Sequence, residues 1–234
     1  MSPRSATSLR LRCGPSVAHL RIADRRDGDF HLEGDPVALA HRQQSLMPGH
    51  WTHLDEVHGT RVVRVVTPGD RDGEVADAAV TAALGAVLSV WVGDCAPVVL
   101  LGANDDGGVL GALHAGWRGA LDGVVAGTVG ALADLGARDV VAVLGPCIHG
   151  CCNEFGVDLL DEFTSRFGHG VRATTSWGAP SLHLPAVIDA ACRELGVALT
   201  DVGECTRCHP DRWFSHRRGD VGRHVVAACL MAAG

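Results

Sequence analysis

Three short segments of the chain carry side chains able to bind a metal ion or attack an electrophile: Glu56-Val57-His58-Gly59, Gly93-Asp94-Cys95-Ala96-Pro97 and Leu113-His114-Ala115-Gly116-Trp117-Arg118-Gly119. Each puts one imidazole or thiol at the end of an apolar run, next to Gly or Pro. Zinc is borderline-soft and takes imidazole nitrogen and thiolate sulfur; three protein ligands leave a fourth position for water. His58, Cys95 and His114 together would make an open site of that kind. Zinc bound there would lower the pKa of its water from about 15.7 to about 7. Other readings stay open on the residues alone. A His at a strand end serves equally as a hydrogen-bonded structural residue, and a Cys among Val and Leu as an inert core thiol. Cys95 and His114 also read as a nucleophile and its base, the pairing of a cysteine hydrolase acting on an amide or a peptidoglycan precursor.

Asp94 adjoins one candidate ligand and is expected either to act as a general acid/base or to orient His58 or His114 through a hydrogen bond. Arg118 stands where a strand turns into a helix, a place suited to anions, and a guanidinium grips phosphate bidentately. Phosphate contact is the expectation for Arg118, with a structural salt bridge as the alternative. Cys147, Cys151 and Cys152 flank Ile148-His149-Gly150 and read as core thiols lining the main pocket in preference to a second metal site. Cys205-Thr206-Arg207-Cys208-His209 spells a c-type haem attachment motif. That chemistry needs an oxidising compartment, so a structural turn is expected instead, with redox sensitivity as the alternative.

The elements needed to position these residues follow from periodicity. Residues 1–50 diverge from any clear pattern. Val17–Ile22 alternates weakly, Asp24–Asp29 is a charged turn, and Pro36–Leu46 suits a helix opened by proline. Val62–Val66, Ala86–Val92, Val98–Gly102 and Val109–Leu113 are apolar runs of strand length, expected to be buried on both faces. Leu121, Val124, Val125, Thr128, Val129, Leu132 and Leu135 recur at spacings of three and four, which predicts one helix over residues 118–135 with Gly136 at its end. Val140–Leu144 follows as a strand, so residues 109–144 form a βαβ-like unit. Val157–Phe167 and Leu184–Leu195 read as helices. Val225–Met231 reads as a final strand, or else a short helix. No linker or repeat interrupts the pattern. The expectation is a single α/β (α+β) domain spanning residues 1–234, with mixed β-sheets flanked by helices.

Composition narrows the function. The chain has 234 residues, 47% hydrophobic and 20% charged, a formal net charge of −7 and nine cysteines. Its mean hydropathy is +0.15. There is no Lys, and the densest basic cluster, Arg212, Arg217, Arg218 and Arg223, has Asp211 and Asp220 beside it and reads as a site for a small anionic substrate group or else as a solvated turn. No basic stripe exists of the kind that nucleic-acid binding requires. No apolar run approaches the ~20 residues that cross a bilayer. The first residues carry Arg4, Arg10 and Arg12 and no apolar leader core. Cytoplasm is the expected location, where thiols stay reduced and clustered Cys suggests metal or catalysis rather than bridges. The oligomeric state is not specified.

Five ordered segments carry a resemblance: Val57-His58-Gly59, Gly93-Asp94-Cys95-Ala96-Pro97, His114–Gly119, Gly145-Pro146-Cys147-Ile148 and Phe214-Ser215-His216-Arg217-Arg218. Together they make residues 51–231 resemble the YfiH/laccase-domain family, whose members have been described as multicopper polyphenol oxidoreductases and as purine nucleoside phosphorylases. The resemblance implies a YfiH-like fold and zinc on His58, Cys95 and His114. It implies phosphorolysis of adenosine, inosine and methylthioadenosine, with adenosine deamination as a further activity. The partners implied are a purine nucleoside and phosphate. Arg25 matches a family Arg and is a candidate for phosphate, as are Arg217 and Arg218. Copper is the lesser candidate for the metal: the thirteen His contain no His-x-His pair, and soft ligands capture copper adventitiously. A non-enzymatic protein keeping a relic site is a further alternative. The sequence departs from the family pattern where Asn153 and His216 replace Tyr, and at Asp24–Gly28, so the substrate-side wall is less well defined than the ligands.

Overall fold

The computed structural model describes residues 6–233; Arg4, used above in the reading of the first residues, lies outside them. In chain order the elements are β1 (Thr7–Cys13), β2 (Ser16–Ile22), α1 (Pro36–Leu46), β3 (His50–Thr52), β4 (Val62–Arg64), β5 (Ala78–Thr81), β6 (Ala86–Val92), β7 (Ala96–Ala103) and β8 (Gly108–Ala115). They continue with α2 (Trp117–Asp122), α3 (Val124–Asp134), β9 (Arg138–Leu144), α4 (Val157–Phe167), β10 (Arg172–Thr174), β11 (Pro180–Leu182), α5 (Leu184–Glu194), β12 (Ala198–Asp201) and β13 (His224–Ala232).

Two mixed sheets pack face to face. One runs β1-β2-β13-β6-β3, the other β12-β9-β7-β8-β5-β4. Alternation along the central strands divides the core. Val99, Leu101, Leu110 and Ala112 face the first sheet and meet Leu20, Leu88, Val90 and Leu230. Val98, Leu100, Val109 and Leu113 face the other way, against Val125 and Leu132 of α3 and Val187 and Ile188 of α5. The far side of the first sheet is covered by Phe30, Leu39 and Leu46. Strands β6, β7 and β8 are therefore enclosed on both faces, which is why they read as unbroken apolar runs.

Two elements differ from the sequence expectation. The helix expected over 118–135 is broken, because Gly123 adopts a left-handed conformation at φ +99 between α2 and α3. The three-and-four spacing of apolar residues continues across the break and so conceals it. Strand β1 was not expected, although Leu9, Leu11 and Cys13 alternate with Ser8, Arg10 and Arg12. It pairs with β2 through a two-residue turn in which Gly14 takes φ +58, as a primed hairpin turn requires at its first position. Residues 225–231 form a strand within β13 rather than a helix. The βαβ-like unit is present in an expanded form. β8 and β9 are each antiparallel to β7, so they run parallel to one another with β7 between them.

Candidate metal centre and cavity

Register gathers the site at one edge of the sandwich. Cys95 immediately precedes β7 and His114 is the penultimate residue of β8; in that antiparallel pair Ala96 lies opposite Ala115 and Pro97 opposite His114. Ala78 at the start of β5 lies opposite Leu113, which sets Asp77 against His114. Strand β4 is parallel to β5 and begins at the same edge, so the loop before it delivers His58. The turn Gly93-Asp94-Cys95 crosses from β6 in one sheet to β7 in the other.

The three predicted ligands converge. One ligand atom each from His58, Cys95 and His114 lies within 4.8 Å of the others. Cys95 Sγ is 3.7 Å from His58 Nε2, and the two imidazoles meet edge to face at 4.9 Å. His58 is exposed, Cys95 half-buried and His114 buried. Close backbone packing sets these positions. A Cβ at Gly116 would stand 2.5 Å from His58 Cδ2, and one at Gly119 would stand 2.6 Å from the Gly59 carbonyl oxygen. The loop carrying His58 thus lies directly on the start of α2, and the Gly residues of that segment are the space it occupies.

The carboxylate that orients the candidate ligands is Asp77, and this corrects the expectation that Asp94 would do so. Asp77 Oδ1 accepts from His114 Nδ1 at 2.9 Å and from the His58 amide at 2.8 Å, and its Oδ2 accepts from the Gly59 amide at 2.7 Å. With Nδ1–H committed to a carboxylate, His114 is left with Nε2 as its free donor atom. Burial alone would lift the Asp77 carboxyl, but the bonds from His114, Gly59 and His58 hold it below the usual range. Asp94 instead accepts from Thr206 Oγ1, Ser215 Oγ and the Arg217 amide. Its backbone sits at φ +132, a region that costs a non-glycine residue of order 1–3 kcal/mol. Three hydrogen bonds to one buried carboxylate, each worth roughly 1.5–3 kcal/mol, hold the strained turn that presents Cys95. Sequence reasoning could not find Asp77 as a partner, because only the β5–β8 register joins it to His114.

Charge bears on whether an ion fits. The buried side chain of Glu56 lies 3.7 Å from His114 Nδ1, and its Oε1 accepts from the Trp91 amide. Burial pushes the Glu56 carboxyl up to about 8. Burial also pushes the Cys95 thiol up, but His114 and His58 bring it down to about 6. Burial disfavours a charged His114, yet Glu56, Cys95 and Asp77 raise it well above the ordinary value. Two carboxyls and a thiol crowding one buried imidazole make a site short of positive charge. A divalent ion in place of the His114 proton would supply it, and two imidazoles with a thiolate suit a borderline-soft cation.

The centre forms one wall of a cavity of about 390 Å³, within the range of small-molecule sites. Trp91, Trp117, Phe155, Ile148 and Leu184 supply apolar surface, and Arg217 and Arg223 bring positive charge. Arg217 donates to the Glu154 carbonyl at 3.0 Å and to Asn153 Oδ1 at 3.2 Å. The other predicted arginines are placed elsewhere. Arg25 is tied to Asp220 at 2.7 Å and stacks on Phe214. Arg118 is exposed and stacks on Trp117 with 4.8 Å to the ring centroid. Neither lines the cavity, and α2 is only six residues long. Arg218 donates to the carbonyls of Thr206, Arg207 and Trp213. Nor do Cys147, Cys151 and Cys152 line the cavity as expected. Cys147 is buried beneath the helices, and Cys151 and Cys152 face Cys208. Arg223 was visible as part of the basic cluster, whereas the residues missed from sequence, Glu56, Trp91 and Phe155, have ordinary local contexts. Only Glu56 had a signal, its place two residues before His58.

Comparison with known proteins agrees with this architecture. The family described as "Multi-copper polyphenol oxidoreductase laccase" matches residues 30–231. A purine nucleoside phosphorylase of Streptomyces coelicolor is 38% identical over 224 residues, covering 86% of this chain and 90% of that protein. A purine nucleoside phosphorylase of Xylella fastidiosa is 38% identical over 226 residues, covering 89% and 85%. Among solved structures, the Bacillus licheniformis hypothetical protein YfiH superposes with a TM-score of 0.77 at 20% identity, covering 92% of this chain and 93% of that one. A Neisseria meningitidis protein assigned to DUF152 gives 0.75 at 23% identity, covering 95% and 98%. No described helix is long and apolar enough to cross a membrane. With its fold, its ordered motifs and a match over most of its length, the chain belongs to the YfiH family of laccase-domain proteins.

Proposed function

We propose that the chain is a zinc-dependent purine nucleoside phosphorylase, acting on adenosine, inosine and methylthioadenosine, with deamination of adenosine as a second activity. The observation that carries this reading is the convergence of His58, Cys95 and His114 on the wall of an aromatic cavity that also holds Arg217 and Arg223. Relatives at 38% identity that bear the name purine nucleoside phosphorylase support it.

In phosphorolysis a phosphate oxygen bonds to C1′ of the pentose, the C1′–N9 bond breaks, and the purine leaves with the bonding electron pair and takes up a proton. This needs a surface for the base, cations for phosphate and a group able to exchange that proton. Trp91, Trp117 and Phe155 offer faces against which a purine ring can stack. Arg217 and Arg223 are the cations positioned for phosphate. Arg217 was expected in that role, and Arg223 joins it in place of Arg25 and Arg118, whose guanidinium groups lie outside the cavity. Glu56 is the carboxyl on the cavity wall from which a proton can pass to the leaving base. Asp94 acts by fixing the turn that holds Cys95, and Asp77 by fixing His114 and the backbone of His58. His58, Cys95 and His114 would hold zinc, which supplies Lewis acidity and activates water at neutral pH.

The 3.7 Å approach of Cys95 Sγ to His58 Nε2 also suits a thiolate–imidazole pair, the basis of the cysteine-hydrolase alternative. Copper chemistry of the multicopper kind is less well supported: beside the single His58, Cys95 and His114 group, the other candidate cluster among the described residues contains only thiols. One experiment separates these readings. Metal content and release of base from inosine and adenosine are measured with and without phosphate, for the wild type, for chelator-treated protein and for Cys95→Ser. Phosphate-dependent release lost on chelation and in the variant is expected. Full turnover by metal-free protein would overturn the proposal and favour the hydrolase.

A further inference from the structure

Away from the cavity, four of the nine cysteines sit together. Cys151 and Cys152 lie in the turn region after β9, and Cys205 and Cys208 in the turn region after β12. These two strands are parallel neighbours, with Val141 opposite Ala198 and Leu144 opposite Asp201, so both turns leave the same edge side by side. The pairing continues past the strands. Cys147 and Cys205 form a parallel bridge, and the Thr206 amide donates to the Cys147 carbonyl at 3.0 Å. Cys208 Sγ is then 3.5 Å from Cys151 Sγ and 3.3 Å from Cys152 Sγ, and all four sulfur atoms lie within 4.8 Å of one another. None is in a disulfide. The His149 amide points at Cys205 Sγ at 3.5 Å, an N–H to sulfur contact that favours the thiolate.

We propose that Cys151, Cys152, Cys205 and Cys208 form a second, structural metal site that holds one zinc ion as a tetrathiolate. Sulfur atoms bound tetrahedrally at about 2.3 Å from zinc stand about 3.8 Å apart, and the observed spacing needs only small side-chain rotations to reach it. A multi-iron cluster would place iron and sulfide between the thiolates, and separations under 4.8 Å leave room for a single ion. Binding releases the thiol protons to solvent as each sulfur becomes a ligand. With four protein ligands the ion has no open position, so the site is structural rather than catalytic.

What it would hold together is the cavity wall. The first turn continues into Asn153 and Phe155, which line the cavity. The second contains Thr206, whose hydroxyl donates to Asp94, and its carbonyls at Thr206 and Arg207 accept from Arg218. An ion joining these turns would fix the cavity wall against the turn that presents Cys95. The inference is independent of what occupies the first site.

The test uses the full chain, purified without chelator and with zinc in the medium, as wild type, Cys95→Ser and Cys208→Ser. Cys95→Ser is expected to keep about one zinc per chain at the four-cysteine site, and Cys208→Ser to carry about one zinc fewer than the wild type. X-ray absorption of Cys95→Ser should show four sulfur neighbours at about 2.3 Å around the remaining zinc and no nitrogen. Should Cys208→Ser fail to fold, the absorption measurement on Cys95→Ser decides alone. A Cys95→Ser protein without zinc, with nitrogen around its zinc, with iron instead of zinc, or with an intact mass showing a disulfide among these cysteines would overturn the proposal.

Discussion

Asp77→Asn tests how the centre is held, and its cost can be worked from the hydrogen bonds. The carboxylate is fully buried and accepts three bonds, from His114 Nδ1, the His58 amide and the Gly59 amide. In the variant the side-chain carbonyl oxygen can keep the first two. Each becomes a neutral bond, about 1 kcal/mol weaker than a bond to a charged acceptor. The new amide NH2 then faces the Gly59 N–H, donor against donor, which leaves a buried donor unpaired at about 1–3 kcal/mol. Removing a buried charge relieves part of its desolvation. The net loss expected is about 2–4 kcal/mol, within what a domain of this size survives. Because the amide oxygen still receives Nδ1–H, His114 keeps its tautomer. Zinc affinity should fall by only about tenfold, against about a hundredfold for Asp77→Ala. Urea unfolding of chelator-treated protein measures the first quantity, and competition with a chromophoric chelator measures the second. An Asp77→Asn protein that unfolds at the wild-type midpoint, or an Asp77→Ala protein that binds zinc as tightly as wild type, would refute the reasoning.

Two further expectations rest on separate contacts. Gly116→Ala places a methyl 2.5 Å from His58 Cδ2, and the imidazole is the part free to move. The variant should fold with an unchanged circular dichroism spectrum while its affinity for zinc at the first site falls, and a wild-type affinity there would contradict the close packing. His224 is completely buried, and burial brings it down to about 3. The unfolded chain protonates this imidazole below about pH 6.5 and the folded chain does not, so stability should fall as pH drops from about 6.5 towards about 3, by about 2 kcal/mol on reaching pH 5. His224→Phe removes that component, and any cost of its extra volume is the same at every pH. Equal pH dependence of unfolding in wild type and variant would rule the assignment out.

What the sequence determines by itself is local. Pro36–Leu46 and Val157–Phe167 become helices with those bounds, because capping, proline placement and apolar periodicity are written within one segment. Three of the apolar runs become β6, β7 and β8, closed on both faces, whereas Val62–Val66 falls at a sheet edge as β4 with Val66 exposed, because strand order and not the run itself decides which faces are covered. His58, Cys95 and His114 could be named because each sits in a short, distinctive motif. What joins one segment to another was left to the tertiary structure. Asp77, rather than Asp94, is the partner of His114 because β5 lies opposite β8 in one register. Arg25 and Arg118 lie outside the cavity, stacked on Phe214 and Trp117, while Arg223 of the basic cluster lines it. The Cys205–Cys208 spacing was visible, but its facing pair was not, since only the parallel pairing of β12 with β9 brings Cys151 and Cys152 alongside. Spacing along a chain fixes which side chains share a face, and strand order fixes which faces meet; the second depends on the burial of the whole core and has no local signature.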